Sequence, residues 1–475
     1  MARYLYWREP TLLAKGRKES EAMRISGAFI VVAVVMLLTS QGINAPAYGG
    51  SNVERPAGSL EALLEEPVGQ APAIDSTYVL SDYLGLALRR SPELRAAFYE
   101  WRAALMKSKY AGSLPDPVLS YGEYIASVET RVGPQNRRFS LKQSYPWFGT
   151  LGAKKAMASE EANAGYQRFE SERLRMSYEV EAAYNDYYYL GRDIALTREN
   201  LELLEFWEAV ARTKFKASIG GHPDVIRAQV ELGKLEDRLL ALEDEVEPAA
   251  ARLRSILDLP DTVTIPIPKS LTVGEVHLDD EPVIAAVQAY NPDLRSMQHL
   301  VQKADAGVSL AKKAYFPDLA FGVDYVETGE ALNPATLDSG KDAWVVGVGV
   351  NLPIWIGKNN AKKREAVARR MEAEYKLQAA QNQLVAVAQK VVFEYDDALR
   401  KLRLYRDGLV PKAEQSLNAS YAAYQAGELD FLNVLDAQRQ LLDFQLALER
   451  ALADLATRRA EVEMITGREL GELAE

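Results

Sequence analysis

The 475-residue sequence contains no cysteine. That excludes thiol catalysis, disulfide bonds, cysteine-based zinc or iron–sulfur centres and a lipid-modified N-terminal cysteine. Histidine is scarce too: His222, His277 and His299 are the only three, with no second histidine or acidic residue at metal-site spacing. Ordinary structural positions are expected for them, with no metal and no cofactor. Positive charge is in deficit, the net charge being -11. A nucleic-acid partner is therefore not expected, because neutralising phosphates takes a basic stripe. Long apolar runs are the last absence. After residue 38 no stretch is apolar enough for a spanning helix, so any later membrane crossing must be made by strands.

The one apolar run, Ile25 to Leu38, follows Arg24 and is too short to span a bilayer as a helix. It fits the core of a secretory signal, and Ala45-Pro46-Ala47 supplies small residues at the spacing a signal peptidase reads. Residues 1–47 are therefore expected to be a signal peptide, with Met23 as an alternative start and a membrane anchor as the competing reading.

The remainder is written twice. Ser91-Pro92-Glu93-Leu94-Arg95 matches Asn291-Pro292-Asp293-Leu294-Arg295, and Pro115-Asp116 matches Pro317-Asp318. "YPWFGTLGAKK" from Tyr145 matches "LPIWIGKNNAKK" from Leu352, and "FKASIGGHPDVIRAQ" from Phe215 aligns without gaps on "YQAGELDFLNVLDAQ" from Tyr424. The matches stay in order. Two repeats are expected, 78–258 and 281–467, joined by a linker at 259–280, preceded by an extended segment at 48–77 and followed by a tail at 468–475. Each opens with a helix (about 80–112 and 281–313), continues through a hairpin (about 115–147 and 316–355), and ends in a very long helix, a break and a last helix.

The strands alternate. In "AWVVGVGVNL", Trp344, Val346, Val348, Val350 and Leu352 fall on one face, and Ala343, Val345, Gly347, Gly349 and Asn351 on the other. Phe139, Leu141 and Tyr145 oppose Arg138, Ser140, Lys142 and Ser144, while Leu319, Phe321, Val323 and Tyr325 oppose Asp318, Ala320, Gly322 and Asp324. Lengths near the ~9–11 residues of a tilted transmembrane strand fit this pattern, as does an ordinary half-buried sheet.

The helices favour the first. From Gly149 to about Ser218 there is no proline, and the matching stretch holds only Pro411, which is expected to kink it. Globular domains do not use such lengths. Val225, Ala228, Leu232, Leu235, Leu239, Leu242, Val246, Ala249, Leu253 and Ile256 then form a three-four seam, repeated from Val434 to Ile465 with Arg458 as the one polar intrusion. That is coiled-coil spacing. Four strands cannot close a barrel, and an open edge cannot sit in lipid, so several chains are expected to share one.

At these residues the chain resembles the TolC family of outer-membrane efflux ducts, from about Tyr78 to Gly467. The resemblance rests on the duplicated order of elements, the opening "LSDYLGLALRRSPELRAA" and the "YQAGELDFLNVLDAQ" turn. It implies a mixed α and β membrane protein with four transmembrane strands per chain. A homotrimer would close a twelve-stranded barrel, continued by a long α-helical periplasmic barrel with coiled-coil packing, in the outer membrane of a Gram-negative bacterium. The family's partners are a periplasmic adaptor and an inner-membrane pump, besides outer-membrane lipid, and the duct is passive: no catalytic residue is expected.

The resemblance places an adaptor-docking turn at each helix break, on Ile219, Gly220 and Gly221 and on Glu428, Leu429 and Asp430. It places the tunnel-mouth constriction at Asn433 and Asp436, where asparagine departs from a double-acid pattern. It links Tyr424 with Asp224 by a hydrogen bond, within one protomer or between two. Trp147, Phe148 and Trp355 suit the membrane interface, with Pro146 and Pro353 stopping the ladder and Gly149 and Gly357 allowing the turn into the long helix. "YPWFG" is similar to members serving heavy-metal pumps, so metal ions and drugs both stand as cargo. Duct service in type I protein secretion and a periplasmic coiled-coil scaffold are the alternatives. An exported hydrolase would need a nucleophile with a base, or paired carboxylates in a cleft, and no such constellation is present.

Overall fold

A computed structural model describes residues 53–56, 58–218, 221–333 and 335–473. The proposed signal peptide and the turn residues Ile219 and Gly220 lie outside the described residues. In chain order the elements are α1 (Gly58–Glu65), α2 (Leu80–Arg90), α3 (Pro92–Tyr110), β1 (Val118–Thr130), β2 (Gly133–Tyr145), α4 (Thr150–Lys216) and α5 (His222–Ile256). Then come α6 (Asp280–Tyr290), α7 (Pro292–Lys313), β3 (Leu319–Thr328), β4 (Ala343–Val350), α8 (Ile356–Arg403), a π segment (Leu404–Leu409), α9 (Val410–Ala426), α10 (Phe431–Thr466) and α11 (Leu470–Leu473). Two helices, two strands and a long helix thus recur in the same order. Compactness follows a different division: one unit gathers Tyr110–Lys155 with Ser309–Arg364, and the other gathers the helical remainder.

In the strand unit the order is β1-β2-β3-β4, antiparallel throughout. The two hairpins are joined by β2 on β3, with Tyr145 opposite Leu319 and Leu141 opposite Val323. β1 and β2 run to 13 residues, while β4 has 8 and stops at Val350 rather than Leu352. Irregularities between Glu123 and Val128 and between Gln135 and Arg137 lengthen the first hairpin, as bulges do. Its turn requires glycine: Gly133 has φ 131°, and a Cβ there would sit 1.9 Å from the Gly329 carbonyl oxygen.

Three corrections concern helix ends. Each expected opening helix is two helices, because the residue before proline avoids the α region. Ser91 and Asn291 are extended, with ψ of 119° and 122°. Each then caps the next helix, Leu94 N–H donating to Ser91 Oγ at 3.2 Å and Leu294 N–H to Asn291 Oδ1 at 3.0 Å. The disturbance expected at Pro411 falls one turn earlier. There the π segment, closed by Val410 N–H on the Tyr405 carbonyl, absorbs the bond that proline cannot make. Gly149 does take a left-handed φ of 77°, but Gly357 is an ordinary second residue of α8. The second crossing into a long helix therefore needs no glycine.

In the helical unit, α4 has 67 residues, ~100 Å at 1.5 Å per residue. Both seams are buried or half-buried. Ala228 and Leu235 of α5 pack with Phe431, Val434, Ala437 and Leu441 of α10 and with Leu204 and Trp207 of α4. Farther along, Ala451, Leu455, Val462 and Ile465 meet Val391, Val392 and Tyr395 of α8. Arg458, the intrusion, is neutralised by Glu394 at 3.1 Å and by Glu461. A third core joins Tyr83, Phe98, Trp101 and Phe169 with Leu259 and Ile265 of the linker, whose Ile265 carbonyl accepts Tyr187 Oη at 3.0 Å.

Candidate functional site

In the strand unit, register builds a surface that no single strand carries. Tyr121, Phe139, Tyr325 and Trp344 are directly opposite one another across β1 to β4, with ring centroids 5.3, 6.2 and 4.9 Å apart in turn. Next to this row, on the same face, lie Leu119, Leu141, Val323 and Val346, then Gln143, Phe321 and Val348. On its other side the pairing is charged, Glu123 opposite Arg137 and Arg137 opposite Glu327. The aromatic row was not among the expected interface residues. Alternation marks each residue's face, but only register puts the four at one level.

Just beyond the strand ends at Tyr145, Leu319 and Val350 stand the expected aromatics. Trp147 stacks on Phe316 at 5.1 Å and 7° and meets Phe148 edge-on at 5.6 Å; Phe148 and Trp355 are exposed. Asp318 of the repeated Pro-Asp pair fixes this end, accepting Trp147 N–H at 2.8 Å through Oδ1 and Asn351 Nδ2 at 3.3 Å through Oδ2. Tyr145 lies six positions after Phe139, ~20 Å along the strand, and Trp147 follows it beyond the strand end. Val346 is 77% exposed and Val348 64%, an apolar area that water does not favour.

In the helical unit the two breaks are built alike. At the second, Gly427 is left-handed with φ 80°, and Glu428 N–H returns to the Ala423 carbonyl at 2.9 Å, a Schellman-type stop. Glu428, Leu429 and Asp430 are exposed, and Asp430 precedes α10. At the first, Ser218 is left-handed with φ 60°, Gly221 precedes α5 and Pro223 opens it. Ring pairs close both: Phe215 with His222 at 5.0 Å, Tyr424 with Phe431 at 5.3 Å.

The expected hydrogen bond between Tyr424 and Asp224 is absent within the chain. Tyr424 is buried and its Oη has no partner among the described residues, while Asp224 pairs with Arg227 at 3.8 Å. Burial raises the Tyr424 hydroxyl's pKa above its usual value, and the nearby Asp224 charge adds to this. What holds Tyr424 is Lys214 of α4. Its ammonium lies 4.1 Å over the ring and donates to the Tyr424 carbonyl at 2.7 Å, combining a cation–π contact with a cap on the end of α9.

Asn433 and Asp436 are both exposed on α10. Asp436 pairs with Arg439 at 3.5 Å. Arg439 in turn grips Glu231 of α5, Nε to Oε1 at 2.9 Å with a second bond from Nη2 to Oε2. Hydrogen bonding to Arg439 holds the Glu231 carboxyl below the usual carboxylate range against its burial. Sequence reasoning did not single out Lys214, Glu231 or Arg439. Glu231 could have been found as an acid interrupting an apolar helix face.

Residues 283–468 match the family described as outer membrane efflux protein. The chain is 24% identical over 317 residues to the outer membrane efflux protein BepC of Brucella suis, covering 66% of this chain and 68% of that one. It is 25% identical over 251 residues to the cobalt-zinc-cadmium resistance protein CzcC of Cupriavidus metallidurans, covering 52% and 53%. Its fold is similar to the crystal structure of the outer membrane protein VceC from Vibrio cholerae, with a TM-score of 0.68 at 18% identity over 82% of this chain and 96% of that one. Residues 283–468 thus match the outer membrane efflux protein family, and the fold of the chain is that of the outer-membrane channels it resembles.

Proposed function

We propose that this chain is one third of a passive outer-membrane duct. Three copies set their four-stranded sheets edge to edge in a twelve-stranded barrel, and their long helices continue it as a periplasmic tunnel. The observation that carries the reading is the sheet itself. Its two outer strands, β1 and β4, each keep one edge unpaired among the described residues, and one face carries the aromatic row beside apolar side chains. Such edges and such a face are stable in lipid only when the sheet closes with others. The row at Tyr121, Phe139, Tyr325 and Trp344 would mark the outer interface, and Trp147, Phe148 and Trp355 the periplasmic one.

In the helical unit, the exposed turn at Gly221 and that at Glu428, Leu429 and Asp430 would receive a periplasmic adaptor coupled to an inner-membrane pump. Three copies of Asp436 would line the tunnel mouth, each partly neutralised by its Arg439, and Tyr424 would meet an Asp224 of a neighbouring protomer. No chemical step is assigned to any residue. Substrate moves because the pump drives it.

The test is the mass of the chain extracted from the outer membrane in mild detergent, corrected for bound detergent. A trimer is expected, and a stable monomer would overturn the shared barrel. Deleting the gene and challenging cells with metal salts beside a drug panel then assigns the cargo, since sensitivity to drugs alone would remove metal ions.

A further inference from the structure

The sheet's second face has so far been only the small, polar one. By register it carries Gly122, Arg138, Val326 and Ala343 at one level, then Ser120, Ser140, Asp324 and Val345, then Val118, Lys142, Gly322 and Gly347. Of these residues Arg138, Lys142 and Asp324 are charged. Arg138 takes the acid, Nη2 and Nε both donating to Asp324 Oδ1 at 3.0 and 3.2 Å. Asp324 is buried, so its charge is spent on the strand beside it. Lys142 remains exposed, with no ion pair among the described residues.

The lysine is also seated. A Cβ on Gly322 would lie 3.2 Å from Lys142 Cγ and 3.9 Å from Cε, so the aliphatic stem runs across the backbone of β3 where no side chain stands. Directly beyond, Gly347 of β4 has open space where its side chain would be. Two glycines in register therefore leave a bare floor beside a lysine whose stem is packed and whose head is solvated.

We propose that Lys142 is a specificity-determining residue. It makes the barrel wall an anion-accepting surface, where carboxylate, sulfonate or phosphate groups of a passing solute are drawn and small cations disfavoured. The inference rests on the shared-barrel reading, in which this face lines the lumen. Over these three levels each chain contributes two cations and one anion, a net +1; Asp318 balances it at the strand end of the same face, four residues or ~13 Å from Gly322, so the excess is local and three copies make a cationic ring at the Lys142 level, of opposite sign to Asp436. Such a ring acts within about one Debye length, ~30 Å at 0.01 M salt and ~3 Å at 1 M.

The experiment is the reversal potential of the purified channel in planar bilayers under a potassium chloride gradient, for the wild type, Lys142→Gln and Lys142→Arg. At ~0.01 M the anion-to-cation permeability ratio is expected to fall about twofold in Lys142→Gln and to hold in Lys142→Arg, the difference vanishing near 1 M as screening requires. If Lys142→Gln conducts and its reversal potential equals the wild type's, the inference is overturned while the duct stands. If Lys142→Gln fails to insert, the wild type's own salt series decides, because an unchanging ratio between ~0.01 and ~1 M removes the fixed charge. A wild-type protein that never conducts removes the duct and this inference together.

Discussion

The two helix breaks share one frame and divide its chemistry between them. Phe215 aligns with Tyr424, Ser218 with Gly427, His222 with Phe431, Asp224 with Asn433, Arg227 with Asp436 and Val230 with Arg439. The frame is kept: a left-handed residue at Ser218 and at Gly427, and a ring pair across each turn. The charges are not kept. The second copy carries Tyr424, Asp436 and Arg439, and the first supplies what holds them, Lys214 under the tyrosine ring and Glu231 on the arginine. Duplication thus preserved the parts that make a turn. Side chains free of that task diverged into complementary halves, so neither break is finished without the other.

The largest test of this division removes a counter-ion. Glu231→Leu leaves Arg439 only its longer, exposed contact with Asp436. Breaking a fully buried pair costs about 3–5 kcal/mol, and because Arg439 is 43% exposed a loss of about 2 kcal/mol is expected in denaturant unfolding. The same pair predicts a pH dependence. The folded Glu231 carboxyl is held below its unfolded value, so its contribution is present above the ordinary glutamate range and is lost as pH falls through the depressed folded pKa. Wild-type stability should drop over that acid interval, and Glu231→Gln should flatten the drop; equal slopes for both proteins would refute the assignment.

A second comparison sets opposite signs at aligned positions. Ser218→Gly relieves a left-handed serine and should stabilise by about 1 kcal/mol, whereas Gly427→Ala should destabilise by about as much. Thermal unfolding of the two variants side by side reads the sign directly, and a shared sign would mean the turns are not equivalent.

Smaller in stability, larger in meaning, is Tyr424→Phe. Its hydroxyl has no partner among the described residues, so removing it should change protomer stability by under about 0.5 kcal/mol. If the hydroxyl instead meets an Asp224 of a neighbour, Tyr424→Phe with Asp224→Ala should raise channel conductance and drug leakage. Unchanged conductance in the double variant would dismiss the lock. The smallest effect belongs to Arg227→Ala, within about 0.5 kcal/mol, because its contact with Asp224 is a surface pair.

Much of this is legible in the sequence alone. The duplicated order, the alternation of each strand, the proline-free long helix and the three-four seams are local periodicities, and they survive folding because each reports which side of one element is covered. The breaks at Ser91 and Asn291 are equally local, since the proline after each disfavours the α region at the residue before it. Gly357 misleads instead: its alignment with Gly149 promises a left-handed turn, whereas the chain enters α8 with ordinary dihedrals.

By itself, then, the sequence determined the elements, their duplication and the face each presents, because burial periodicity and backbone sterics act over a few residues. Only the tertiary structure decided which residues meet. Register brought Tyr121, Phe139, Tyr325 and Trp344 to one level, laid Lys142 over Gly322, and put Lys214 beneath Tyr424 and Glu231 against Arg439. Those partners lie from 18 to more than 200 residues apart, and a contact across that separation is set by how elements pack, which no local pattern encodes.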